Sequence, residues 1–222
     1  MSFLMKYAPK HLSEVVISDE KVRTRLDSYV TGNNRQPLLL YGSPGVGKSS
    51  IASLLPDAIE GKKADVRNLI TTSFTTVNEV KQVFNGGSTL WYEFMGQSRN
   101  YLISDEFNVT RNASLALRQE MDFFQINTQM IFTTNYIDTV DEAIQDRCLC
   151  LEIKTADATA WLPRAQYILE SESIVTDAEV LKKVIESQLM VSRSHRKLLE
   201  QLEIFVNGKR NAIKSANKFR SI

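Results

Sequence analysis

Four runs of apolar residues punctuate the first 155 positions: QPLLLY (36–41), RNYLISDE (99–106), QMIFTTN (129–135) and LCLEI (149–153). Their unbroken character predicts strands buried on both faces. Helix-period patterns lie between them, and that alternation predicts a parallel sheet covered by helices. One helix is especially clear. In TRNASLALRQEMDFF (110–124), Ala113, Leu117, Met121 and Phe124 share a face, leaving Arg111 and Arg118 elsewhere on the surface. After Thr155 the strand pattern stops, and helical stretches at about 157–171, 176–189 and 194–206 predict a separate helical domain. The second stretch opens with Thr176 and Glu179 at capping-box spacing, and the third is expected to stop at Asn207-Gly208. The expected organisation is an α/β core over 1–155, a helical domain over 156–208 and a basic tail over 209–222.

The loop after the first run changes the picture from fold to chemistry. YGSPGVGKSS (41–50) fits the phosphate-loop template G-x-x-x-x-G-K-[ST], with a buried strand before it and a helix after it. Such a loop, here running through Gly42, Pro44, Gly45, Val46 and Gly47 into the helix start at Lys48, Ser49 and Ser50, points its backbone N–H groups, those of every residue but Pro44, at a polyphosphate. Lys48 would reach the terminal phosphates of a nucleoside triphosphate, and Ser49 would hold Mg2+. A Gly-Pro turn bearing a solvated lysine would match much of this, but it leaves the hydroxyl directly after the lysine without a use. In the second run, Asp105 and Glu106 emerge where a strand ends, the place at which open α/β sheets bind ligands. Asp105 would support the magnesium. Glu106 would orient and activate an attacking water. An acidic pair after a strand is common surface chemistry by itself, and it is the upstream phosphate loop that makes it the second half of a site.

Charge and cysteine content add less. The 222-residue chain has 27 Lys plus Arg against 26 Asp plus Glu, so any nucleic-acid surface must be a local patch. Its last stretch, KRNAIKSANKFRSI (209–222), has five basic residues and no acidic ones, which suits either a solvated tail or a nucleic-acid contact. The two cysteines, Cys148 and Cys150, are too close for an ordinary bridge and lack partners for a zinc site, which suggests a reducing compartment. No signal peptide or membrane-length apolar run is visible, and a soluble protein of the cytoplasm, without membrane contact, is expected.

The order of motifs is more specific than any one of them. KYAPKHLSEVV, GSPGVGKSS, ISDE, LALRQEM, FTTNYIDTVDEAIQDRC and SHRKLLEQLE, from about Lys6 to Phe205, resemble in sequence and order the small ATPase subunits of sliding-clamp loaders of the phage, archaeal and eukaryotic type, a branch of the AAA+ ATPases. The resemblance implies a P-loop AAA+ parallel-sheet core with a small helical lid, using ATP and Mg2+. It implies that Asn135 is a first sensor holding the attacking water, and that Arg147 is a finger inserted into a neighbouring subunit's site. Arg196 would be a second sensor on the lid that binds its own subunit's phosphates, and Tyr7 and Pro9 would pack near the adenine. Arg118 would face the neighbour's site, and Lys81 would contact DNA phosphate; the alternative reading of each is a solvated charge on a helix. Implied partners are primer-template DNA bound without sequence preference, a sliding clamp, and other loader subunits in a ring of five.

The chain departs from the family's pattern at several places. Ser104 replaces an apolar residue before the acidic pair, Ala8 an arginine, Asp146 the serine before the finger, and Ser114 a glutamine linked to DNA sensing. The four-cysteine zinc module of bacterial loader subunits is missing, and the sequence stops after the lid, where relatives continue into a helical collar. A helicase loader or another ATPase that remodels a replication protein is the alternative reading. A third is a structural subunit that binds ATP and hardly hydrolyses it; against that stand Lys48, Asp105, Glu106, Asn135 and Arg147, because a purely structural site needs no water-activating carboxylate.

Overall fold

The computed structural model describes residues 2–66, 68–70, 74–85 and 96–220. In chain order its helices are α1 (Phe3–Lys6), α2 (Glu20–Val30), α3 (Lys48–Glu60), α4 (Val77–Asn85), α5 (Arg111–Phe124), α6 (Glu142–Gln145), α7 (Ala158–Ser171), α8 (Ala178–Val191) and α9 (His195–Arg220). The strands are β1 (Leu38–Tyr41), β2 (Asn68–Ile70), β3 (Asn100–Ser104), β4 (Thr128–Thr134) and β5 (Leu149–Glu152). These elements fall into two units. One comprises the described residues of Asp19–Gly42 and Gly47–Ile153, the other those of Met1–Ser18, Ser43–Val46 and Lys154–Ile222. The division puts the N-terminal segment and the tip of the phosphate loop with the helical unit, where a single break near residue 155 was expected.

The first unit holds a parallel five-stranded sheet in the order β2-β3-β4-β1-β5. Four of its strands are the four apolar runs. The fifth, β2, is three residues long and has no such run behind it. β4 is buried along its whole length because it lies between β3 and β1. On one side of the sheet, Leu39, Leu102 and Phe132 pack against Val80 and Phe84 of α4 and Ala113, Leu117 and Met121 of α5. Phe124, the fourth member of the expected face, is partly buried against the same cluster. Cys148 joins this cluster, Cys150 packs against it, and both are free thiols.

The helical unit has its own core, in which Trp161, Ala165, Ile168 and Leu169 of α7 meet Leu181 and Ile185 of α8, Leu198, Leu202 and Val206 of α9, and Phe3 and Tyr7 from the N-terminus. Glu172, with a side chain 5% exposed, ties the ends together. Its carboxylate accepts from Lys6 Nζ at 2.6 Å, Tyr7 OH at 2.6 Å and Arg210 Nη2 at 2.5 Å. Chiefly through the hydrogen bond from Lys6, these donors hold its carboxyl down at about 2.

Two local expectations need correction. α8 is capped by Asp177, whose carboxylate accepts from the backbone N–H of Glu179 at 2.8 Å, so the neighbouring Thr176 is not the cap. Aspartate is as good a cap as threonine, and it stands directly before the first helical residue. α9 also does not stop at Asn207-Gly208. Gly208 keeps an ordinary helical backbone, and the helix continues to Arg220. Buried Val206 and the Arg210–Glu172 bonds hold the turns on both sides of Gly208, and that tertiary anchoring outweighs the glycine's weak preference for ending a helix. The expected tail is therefore helical, and only its last two residues lie outside the described ones. Among the described residues, no helix is long and apolar enough to cross a membrane.

Candidate active site

Because β3, β4 and β1 are adjacent and parallel, whatever follows each strand emerges at the same edge of the sheet. The phosphate loop follows β1, Asp105 and Glu106 follow β3, and Asn135 follows β4. The side chains meet accordingly. Lys48, only 7% exposed at the start of α3, donates from Nζ to Gly42 O at 2.8 Å and to Asn135 Oδ1 at 2.8 Å. Burial lowers its pKa, while the nearby charges of Asp105 and Glu106 oppose the shift. Ser49 Oγ donates to Asp105 Oδ1 at 2.8 Å. Four of the expected residues, from three separate stretches of the sequence, thus stand together in one unit.

Two glycines shape the loop. Gly42 has φ +139°, and a Cβ there would collide with the carbonyl of Ile153. Gly45 has φ +78°, and a Cβ there would collide with the Ser194 hydroxyl. Glycine alone satisfies both turns. The carbonyl of Gly45 accepts the backbone N–H of His195 at 2.9 Å, so within the helical unit the loop tip is fastened to the first residue of α9. Pro44 is exposed, Val46 is buried and Ser50 is half-buried. The helix that follows runs thirteen residues, long enough to present a positive N-terminal end. The Ser49 hydroxyl and the Asp105 carboxylate are hard oxygen donors of the kind Mg2+ takes alongside phosphate oxygens.

One residue at this edge was not foreseen. Thr133 Oγ1 donates to Asp105 Oδ1 at 2.5 Å and accepts the backbone N–H of Glu106 at 3.1 Å. Glu106 is a non-glycine residue at φ +53°, in the left-handed region. Thr133 therefore fixes both carboxylates, one through its side chain and the other through its backbone. The sequence offered only a weak signal, because threonine is an ordinary strand residue.

The remaining candidates have contacts of their own. Arg147 follows α6 and makes a two-pronged contact with Asp122 of α5, from Nε to Oδ1 at 2.8 Å and from Nη2 to Oδ2 at 2.9 Å, while Nη1 donates to Ala143 O at 2.8 Å. Arg118 is half-buried and donates weakly to Ser114 O at 3.4 Å. Lys81 is exposed on α4. In the helical unit, Arg196 is exposed in the first turn of α9, Pro9 is half-buried, and Tyr7 is buried with its hydroxyl committed to Glu172.

Residues 38–154, just over half the chain, match the family described as "ATPase family associated with various cellular activities (AAA)". The chain is 27% identical over 201 residues to "Replication factor C small subunit 2" of Pyrobaculum islandicum, covering 90% of this chain and 62% of that protein. It is 26% identical over 183 residues to "Replication factor C small subunit" of Thermofilum pendens, covering 82% of this chain and 56% of the relative. It thus spans less than two thirds of these relatives' length. Among solved structures it is similar to a single-substitution variant of Thermotoga maritima RuvB, with a TM-score of 0.62 at 16% identity over 91% of this chain and 73% of that one. Another structure of that protein, described as the "RuvB Holliday junction branch migration motor", gives 0.56 at 18% identity over the same shares. At those identities the likeness is one of fold.

Proposed function

The chain belongs to the AAA family of ATPases, and on that footing we propose that it is a clamp-loader subunit that hydrolyses ATP to load a sliding clamp onto primer-template DNA. The observation that carries the hydrolytic part is the meeting of Lys48, Ser49, Asp105 and Asn135 at one sheet edge. The clamp-loading part is supported by the order of motifs and by the similarity to replication factor C small subunits over most of the chain.

In this reading, Lys48 exchanges its contacts with Gly42 O and Asn135 Oδ1 for the terminal phosphates of ATP. Ser49 and Asp105 hold Mg2+, which when bound offsets the negative charge of the phosphate oxygens. Asn135, released from Lys48, holds the attacking water, and a carboxylate oxygen of Glu106 takes that water's proton as the water oxygen bonds to the terminal phosphorus and the bond from that phosphorus to the bridging oxygen breaks, leaving ADP and phosphate. Arg147 of a neighbouring copy or subunit meets the charge that develops on the transferred group, with Arg118 on the same neighbour-facing side. Arg196 binds the phosphates from the lid, Tyr7 and Pro9 border the adenine, and Lys81 contacts DNA phosphate.

The test is the ATPase rate of the purified protein, with any subunits that copurify, alone and with a sliding clamp plus primed DNA. Stimulation that needs both ligands supports clamp loading. Stimulation by a replicative helicase, with none from clamp and primed DNA, would instead support the helicase-loader reading.

A further inference from the structure

Ser114, Arg118 and Asp122 recur at four-residue spacing along α5, so they share one face of the helix. That face is fastened to the segment carrying Arg147 at two points. Ser114 Oγ donates to Asp141 Oδ2 at 2.7 Å, and Asp141 caps α6 through the backbone N–H of Ala143 at 2.9 Å. Two turns further along α5, Asp122 receives Nε and Nη2 of Arg147. The third bond, from Nη1 to Ala143 O, uses a carbonyl near the end of α6 that has no helical partner of its own.

A guanidinium has five N–H donors in one plane, and a fork-to-fork contact with a carboxylate fixes that plane as well as its position. Three donors of Arg147 are engaged, which leaves one on each terminal nitrogen. The pair is open to solvent, the Arg147 side chain being 34% exposed and that of Asp122 54%. Exposed ion pairs add little to fold stability, so the contact is better understood by what it orients. Next to it, Phe123 and Ile126 are 75% and 73% exposed, an unusual pairing of large apolar side chains on a surface that nothing in this chain covers among the described residues.

We propose that Asp122 is the positioning residue for Arg147: it holds the guanidinium so that its two remaining N–H donors are presented to the nucleotide of a neighbouring copy. The proposal rests on the reading of Arg147 as a finger acting between chains. Each partner favours the charged form of the other, the Asp122 carboxyl being held below its usual range and Arg147 above its own, so the pair stays ionised at working pH. The opposite role, a carboxylate that sequesters the arginine, predicts that removing Asp122 speeds hydrolysis.

The experiment compares turnover and ATP affinity of Asp122→Asn, Asp122→Glu, Arg147→Ala and the double variant Asp122→Asn/Arg147→Ala, in the assembled protein. A misaimed catalytic group costs on the order of 10 to 100-fold, so Asp122→Asn should lose about that much turnover with ATP affinity unchanged, and Asp122→Glu should recover part of it. In the Arg147→Ala background, Asp122→Asn should cost nothing further. Mixing shows which function is lost. Asp122→Asn chains should be rescued by Lys48→Ala chains, which supply an intact finger, whereas Lys48→Ala/Asp122→Asn chains should fail to rescue Arg147→Ala. Normal or faster turnover in Asp122→Asn overturns the proposal while leaving the finger intact. So does an equal loss in both backgrounds. Normal turnover in Arg147→Ala overturns the finger reading itself and this proposal with it.

Discussion

Replacing Thr133 with valine removes one hydroxyl from a buried site and keeps the side chain's shape. Two bonds go with it, one to the ionised Asp105 and one from the backbone N–H of Glu106. A hydrogen bond to a charged group contributes about 1.5–3 kcal/mol, and an orphaned backbone donor costs about 1–3 kcal/mol when it cannot reach water. Glu106 is exposed, so water can replace part of the second loss. The first term dominates. The larger consequence is for Glu106, which sits in a left-handed backbone that costs about 1–2 kcal/mol and is held there in part by this bond. Freed from Thr133, it can relax away from the position that hydrolysis needs. A loss of about 1.4–2.7 kcal/mol in transition-state stabilisation corresponds to roughly 10 to 100-fold in turnover. The expected outcome for Thr133→Val is that drop in steady-state phosphate release at saturating ATP, with nucleotide affinity within about threefold because Lys48 and the loop are untouched. Thr133→Ser, which keeps the hydroxyl, should stay near the wild-type rate. Wild-type turnover in Thr133→Val, or equal damage in Thr133→Ser, would show that the hydroxyl does not organise the carboxylates.

Three further outcomes concern stability. His195 is buried against Trp161, its Nε2 accepts the backbone N–H of Ala156 at 3.0 Å, and burial lowers its pKa to about 4 from 6.5. Its contribution is complete above pH 6.5 and is lost as pH falls toward 4, so urea melts should show the helical unit weaker by about 2 kcal/mol at pH 5 than at pH 7.5, and His195→Gln should flatten that slope. Ser104 has a fully buried hydroxyl with no hydrogen-bond partner among the described residues, so Ser104→Ala should raise stability by about 1 kcal/mol, or roughly 2–4 °C in calorimetry. Gly208 lies within α9, and a Cβ there meets nothing within 4 Å, so Gly208→Ala should stabilise that helix by about 0.5–1 kcal/mol in the same assay.

The sheet was legible where burial on both faces leaves an unbroken apolar run, as in β1 and β4, and illegible at the short β2, where Asn68–Ile70 follows a charged stretch. The phosphate-loop motif stands out in the sequence because Gly42, Gly47, Lys48 and Ser49 lie within eight residues and their spacing alone defines the template. Thr133 and Asp122 could not be read in the same way. Their partners lie 28 and 25 residues away, and only the parallel register and the packing of α5 on α6 bring them together. The end of α9 was misplaced for a related reason, since Asn207-Gly208 is a sound local stop signal that distant anchors at Val206 and Arg210 override.

In the proposed mechanism Glu106 serves as the base of an ATP site formed with Lys48, Ser49, Asp105 and Asn135. Single-turnover hydrolysis of pre-bound ATP by Glu106→Gln tests it most directly, because the amide keeps the size of the side chain and cannot accept the proton. Loss of a general base costs roughly 100 to 10,000-fold, so ATP should bind as in the wild type and remain uncleaved over many wild-type turnover times. Cleavage of the bound ATP at a rate close to that of the wild type would contradict it.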